Sequence, residues 1–152
     1  MRQMYFDTIN DILMVVFFLQ VEDFTNKAII CDLGVAVLKN NVPARRDGAN
    51  PGSLKYQHVE QLLGLPQTPG VDVYSFGVIA LEMYTREGVW KGLSHHQIKR
   101  NIEKGKFPII PVEKVPEKVK QMITRCFQPV EKRPSVTELF PLLLSLVKDQ
   151  KK

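Results

Sequence analysis

The stretch Val71-Asp-Val-Tyr-Ser-Phe-Gly-Val-Ile-Ala-Leu-Glu-Met-Tyr84 decides how this chain is read. From Val73 to Tyr84 only Ser75, Gly77 and Glu82 interrupt the apolar residues. Wound as a helix, the run is apolar nearly all round, which predicts a core helix buried on every side. Spanning a bilayer takes about 20 such residues, so the run is too short to do so. Asp72 stands at the expected helix start. There a carboxylate accepts orphan N–H groups and meets the positive end of the helix dipole. On pattern alone, a plain central core helix accounts for the run.

Outward from this helix, composition sets the bounds. The 152 residues suit one domain with a real core, and 44% hydrophobic with 24% charged residues is the balance of a globular protein. The net charge of +5 comes from scattered positions, apart from Arg45-Arg46 and Lys151-Lys152. A nucleic-acid binder would show a clustered basic face with interleaved aromatics, so that class is set aside. Cys31 and Cys126 are too few for a disulfide framework and predict free thiols in a reducing compartment, here the cytoplasm. Two cysteines and three histidines do not fall at zinc-site spacings. The apolar run Ile12 to Leu19 follows Asp7 and Asp11 and lacks a cleavage site. It makes a poor signal peptide and is too short for a membrane span.

In chain order, Met1 to Asn10 reads as a ragged helix. Val16–Gln20 and Lys27–Cys31 are short bounded apolar runs that suit a β-hairpin. Residues 35–55, rich in Asn, Gly, Pro and Arg, read as one long surface loop. Beyond the central helix, Ser94 and Gln97 form a capping box for a helix to about Lys104, stopped by Gly105. Phe107–Pro111 reads as an extended link. Pro116 opens a helix with Val119, Met122, Ile123, Cys126 and Phe127 on one face. Ser135 and Glu138 cap a last, Leu-rich helix to about Lys148, with Pro141 placed to kink it.

Asp32-Leu-Gly34, Glu60, Asp72-Val-Tyr-Ser-Phe-Gly77 and Arg133-Pro134 form an ordered set. Together they resemble the lower lobe of a eukaryotic protein kinase, over roughly residues 17 to 148. Asp32-Leu-Gly34 looks like the metal-binding Asp-Phe-Gly, and the loop after it like the activation segment. Gly52-Ser-Leu-Lys-Tyr-Gln-His-Val-Glu60 looks like the stretch ending in Ala-Pro-Glu, with His58 and Val59 replacing Ala and Pro. Cys126-Phe127 followed by Lys132-Arg-Pro-Ser135 resembles the family's Cys-Trp and Arg-Pro pattern, with Phe for Trp.

The resemblance implies ATP and Mg²⁺ as cofactors, with Asp32 as the metal and cofactor ligand. It places Ser53, Tyr56 and Glu60 in the activation segment that faces a protein substrate. Ser53 leans the chain toward Ser/Thr specificity. It gives Asp72 and Arg133 structural roles, with Asp72 anchoring the catalytic loop and Arg133 pairing with Glu60 beneath the segment. Each residue also has a plain reading: Asp32 as a turn aspartate, Ser53 as a solvated loop serine, Asp72 as a helix cap, Glu60 and Arg133 as surface charges.

Other family parts have no counterpart here. The sequence has no G-x-G-x-x-G and no strand of the Val-Ala-Ile-Lys kind before Asp32. The catalytic loop would fall in Asn10-Asp-Ile-Leu-Met-Val-Val-Phe17. Asp11 lies near the base position, but no His-Arg precedes it and no Asn follows.

The expected fold is therefore mainly α, a kinase-like C-lobe with a small β-hairpin near the N-terminus. Residues 1–16 are degenerate or unrelated, 17–148 form the lobe, and 149–152 a basic tail. The expected function is that of a kinase-domain fragment, inactive alone; a pseudokinase-type interaction module using the helical surface around Trp90 and the activation loop is the alternative. Its partners would be protein substrates or partner proteins, with no nucleic acid and no membrane. Self-association through the apolar face of the hairpin is also expected.

Overall fold

The structure, a computed structural model, describes residues 53–66 and 68–149, with side chains to residue 146, and four strand backbones nearer the N-terminus. The strands are β1 (Ile12–Leu13), β2 (Phe18–Glu22), β3 (Lys27–Cys31) and β4 (Val37–Leu38). The helices are α1 (Val59–Leu62), α2 (Gly70–Thr85), α3 (His95–Glu103), α4 (Glu117–Cys126) and α5 (Val136–Asp149). Two short 3-10 turns, Leu54–Tyr56 and Val130–Lys132, precede α1 and α5.

The expected hairpin is present. Strands β2 and β3 pair antiparallel, from Phe18 opposite Cys31 to Glu22 opposite Lys27. The first strand of the pair lies two residues later than its apolar run suggests, and its register sets Glu22 across from Lys27, a favourable acid–base pairing. Val37–Leu38, expected inside a structureless loop, instead pairs antiparallel with Ile12–Leu13. Two β-branched or aliphatic residues in a row are enough to join a short ladder when a partner is near. The ragged helix expected at 1–10 lies outside the described residues, as do the side chains behind the expected self-association.

Helix α2 is the centre of the lobe. It begins two residues before Asp72, so Asp72 lies within the first turn and does not cap it. Pro69 already has a helical backbone (φ −53°, ψ −19°), and its carbonyl accepts from the Asp72 N–H at 3.1 Å. Thr68 Oγ1 takes the Gly70 N–H at 3.3 Å. Thr-Pro-Gly thus starts the helix where proline's fixed φ favours it. Burial is nearly all round at the N-terminal end, from Val71 through Val78. It fails at the other end, where Met83 is 62% exposed, so the run is not covered on every side.

Helix α4 packs across α2. Its predicted face, Val119, Met122, Ile123, Cys126 and Phe127, is entirely buried. These side chains join Val73, Tyr74, Val78 and Leu81 of α2 and Leu139 of α5 in one core. Both capping boxes form. Ser94 Oγ accepts from Gln97 N at 3.3 Å while Gln97 Oε1 accepts from Ser94 N at 2.8 Å. Ser135 Oγ accepts from Glu138 N at 3.3 Å and Glu138 Oε2 from Ser135 N at 2.7 Å. Gly105 ends α3 region with φ +68°, a backbone few other residues adopt. Pro141 lies inside α5 without ending it.

Gly77 is where α2 and α4 touch. A Cβ there would lie 2.7 Å from Cys126 Cβ and 3.1 Å from Phe127 Cε1. Alanine would gain about 1 kcal/mol of helix propensity. The Cys126 Cβ is tied to its backbone, so relief requires the helices to part, and overpacking costs about 1–3 kcal/mol or more. Gly77→Ala is expected to lower stability by about 1–2 kcal/mol, checked by urea unfolding. A more stable variant would mean that the contact is slack.

Candidate functional site

The segment from Ser53 to Leu62 is fastened along α2 at three points. The first is the 3-10 turn, closed by Tyr56 N–H to Ser53 O at 3.0 Å and Gln57 N–H to Leu54 O at 3.1 Å. Ser75, a polar break in the apolar run, places its hydroxyl 3.0 Å from Tyr56 O and 3.1 Å from Val71 O. A buried hydroxyl so placed ties the incoming segment to the helix backbone.

The second point is Glu82. Its Oε2 accepts from the Tyr56 hydroxyl at 2.9 Å, and its Oε1 from Val89 N–H at 2.9 Å and Lys55 Nζ at 3.3 Å. One carboxylate thus joins the segment to the loop beyond α2. Burial raises the Tyr56 hydroxyl pKa above its ordinary value, with Lys55 opposing and Glu82 adding to the rise.

The third point is the end of the segment. His58 is buried, with its ring 4.7 Å from Tyr74 and stacked near-parallel on Phe107 at 6.1 Å. Its Nδ1 bonds Glu60 Oε2. The other carboxylate oxygen, Oε1, accepts from Arg133 Nη2 at 3.3 Å. Arg133 also donates from Nη1 to Gly70 O at 2.7 Å and from Nε to Gln128 O at 2.8 Å. Its guanidinium carbon lies 5.5 Å from the Tyr74 ring centroid. The arginine side chain is 1% exposed and the glutamate 13%, so this is a buried pair and not a surface one.

Electrostatics follow from that burial. Burial alone would raise the Glu60 carboxyl pKa, but the His58 hydrogen bond and the Arg133 charge overcome it and hold the pKa below its ordinary 4.5. Burial pulls the Arg133 pKa below its ordinary value against the opposing pull of Glu60. The guanidinium nonetheless remains charged under ordinary conditions.

The structure thus brings Glu60 and Arg133 together, 73 residues apart in sequence. Tyr56 joins the same arrangement through Glu82. Ser53 is exposed at the head of the turn. Asp72 is buried in the first turn of α2 and engaged there. Asp11 and Asp32 lie outside the described residues. Asp32 follows directly in sequence on Cys31, the last residue of β3. Sequence reasoning missed His58, seen only as a departure from Ala-Pro-Glu, and Glu82, seen only as an interruption. A lone carboxylate within an apolar helix was the available signal for Glu82.

Among the described residues no three His, Cys, Asp or Glu side chains gather as a metal site, and no helix is long and apolar enough to cross a membrane. Cys126 is a free, buried thiol whose pKa is pushed up to about 12, chiefly by burial.

A helical lobe centred on a buried helix, with the preceding segment locked down by a Glu–Arg pair, defines a protein-kinase-type lower lobe. The family described as protein tyrosine and serine/threonine kinase matches residues 18–143, and the chain belongs to that family. It is 34% identical over 120 residues to a putative mitogen-activated protein kinase kinase kinase 7-like protein of Drosophila melanogaster, covering 72% of this chain and 29% of that protein. It is 35% identical over 116 residues to a probable serine/threonine-protein kinase of Dictyostelium discoideum, covering 75% of this chain and 12% of the relative. It is 27% identical over 122 residues to mitogen-activated protein kinase kinase kinase 7 of Drosophila melanogaster, covering 79% and 17%. The chain therefore spans less than a third of the length of these relatives.

Proposed function

We propose that this lobe serves a protein kinase that transfers phosphate from Mg²⁺-ATP to serine or threonine hydroxyls of proteins in the cytoplasm, and that the 152-residue chain alone does not catalyse the transfer. The observation that carries the reading is the closure of Glu60 on Arg133 beneath the segment headed by Ser53. Such a clamp holds a substrate-facing segment at fixed height on the lobe, and positioning supplies most of phosphoryl-transfer catalysis. The Dictyostelium discoideum relative named above as a probable serine/threonine-protein kinase supports the hydroxyl class. Asp32 is the residue assigned to the metal ion, which would neutralise phosphate charge when bound. Ser53 and Tyr56 are assigned to the substrate side of the segment. Asp72 is assigned to anchoring the catalytic loop from α2. Asp11 is the sole acidic candidate for the base position, without the flanking His-Arg and Asn.

Inactivity of the chain alone rests on the lack of a Gly-rich phosphate loop and a strand lysine in this sequence. Radiolabelled phosphate transfer to generic protein substrates is expected to match that of Asp32→Ala. Turnover that Asp32→Ala abolishes would overturn the inactivity proposal and leave the kinase assignment standing. A second reading, a non-catalytic interaction module, is favoured by the cleft beside Trp90 described next.

A further inference from the structure

The loop after α2, helix α3 and the extended stretch Phe107–Pro111 enclose a cleft of about 460 Å³. Its walls are apolar: Val89, Trp90, Leu93, Phe107 and Ile109 line it. Ile109 is 90% exposed. Its rim is basic. Lys91, Lys106 and Lys114 line it against a single acid, Glu87. Glu87 is shared by Lys114 at 2.6 Å and Lys91 at 3.4 Å. Two lysines thus divide one carboxylate, and Lys106 adds a further positive charge. The indole Nε1 of Trp90 is buried at this wall with no acceptor among the described residues. A buried donor left without an acceptor is costly.

We infer that this cleft is a docking groove for an extended acidic peptide segment of a partner protein, with bulky apolar anchors between its carboxylates. Apolar pockets supply affinity to such a segment, and complementary charge at the rim supplies specificity and association rate. A second copy of this chain fits less well, because its net charge of +5 sets like charge against the rim. The inference rests on the interaction-module reading and deepens it, and it is independent of phosphate transfer because the cleft is built from this lobe alone. The groove also has a route to the segment clamp, since Phe107 lines the groove and stacks on His58.

The test uses the full chain and its single tryptophan. Random dodecapeptides displayed on phage are selected against it, and the enriched peptides, made synthetically, are titrated while Trp90 fluorescence is followed. Enrichment of sequences combining acidic and bulky apolar residues is expected. Their affinity should fall tenfold or more in Ile109→Ser and in Lys106→Glu, and should weaken with added salt. Both positions are exposed, so thermal unfolding of the two variants should match that of the parent. Acidic peptides that bind both variants as tightly as the parent would place the binding elsewhere, overturning the groove while leaving the interaction reading intact. No enrichment over the Ile109→Ser protein would overturn both. Loss of a dimer in Ile109→Ser by sedimentation, or uptake by phosphatidylserine vesicles in place of peptide, would overturn the assignment of a peptide partner.

Discussion

Replacing Arg133 by alanine is expected to unfold much of the population. The change takes the guanidinium from the Glu60 carboxylate, 13% exposed, and leaves it only the His58 ring. It also leaves the Gly70 and Gln128 carbonyls without the guanidinium that now donates to them. Breaking a buried pair by removing one partner costs about 3–5 kcal/mol. A domain has only about 5–15 kcal/mol in all. Glu60→Ala should cost nearly as much, because it strands the arginine. It should remain the milder change, because Arg133 keeps its two carbonyls. The double variant should lose clearly less than the sum, since no charge is then left unpaired. Urea unfolding of the four proteins decides the matter. Simple additivity, with each single loss below about 1 kcal/mol, would mean that the pair does not hold the segment down in solution.

The same pair sets an acid limit. The Glu60 carboxyl pKa is lower folded than its ordinary 4.5. Its contribution is therefore complete above the unfolded value and is lost as pH falls through the folded one. In Glu60→Gln that part of the acid-induced loss should vanish, which unfolding curves taken across the acid range will read.

The second large effect is expected at Tyr74, and there the two natural truncations should differ sharply. Tyr74 is fully buried, with its ring 4.7 Å from His58, 5.2 Å from Phe127 and 5.5 Å from the Arg133 guanidinium carbon. Cutting it to alanine removes the ring on which the segment end, α4 and the arginine all rest, and should cost about 3–5 kcal/mol. Cutting it to phenylalanine keeps the ring and deletes only the hydroxyl. That hydroxyl is buried without a hydrogen-bond partner among the described residues. Burial pushes its pKa far up, with Arg133 opposing and Glu60 adding to the rise. Removing an unsatisfied polar group should be neutral or stabilise by up to about 1 kcal/mol. A loss above about 1 kcal/mol in Tyr74→Phe would show that the hydroxyl meets an acceptor nearer the N-terminus.

What was legible in the sequence follows the range of the interactions. Ser94 with Gln97 and Ser135 with Glu138 are contacts over three residues, so spacing alone exposes them. The buried face of α4 could be read because helical periodicity is a local signal. The start of α2 was misplaced by two residues because Asp72 is the more familiar cap and Thr68-Pro69 the less familiar one. Met83 was expected inside because an apolar run does not tell which end emerges from its neighbours. Glu60 and Arg133 could be paired only through the family resemblance, since no local pattern joins residues that far apart. His58 and Glu82 escaped notice for the same reason. Their partners, Tyr74 and Phe107 for one and Tyr56 and Val89 for the other, become neighbours only after folding.

Cys126 gives the chain a built-in clock for the separation of its two central helices. Its thiol is wholly enclosed and its pKa is pushed up to about 12, so the reactive thiolate hardly exists in the closed state. Its Cβ packs against Gly77 where α2 meets α4, so a probe reaches the thiol only when the packing around it opens. With Cys31 replaced by serine, the rate at which a thiol reagent labels the protein counts those openings directly. Where reclosing outruns labelling, that rate converts into an opening free energy, side chain standing in for exchanging amide. Gly77→Ala, which presses on the same sulfur-bearing residue, should make the clock run faster.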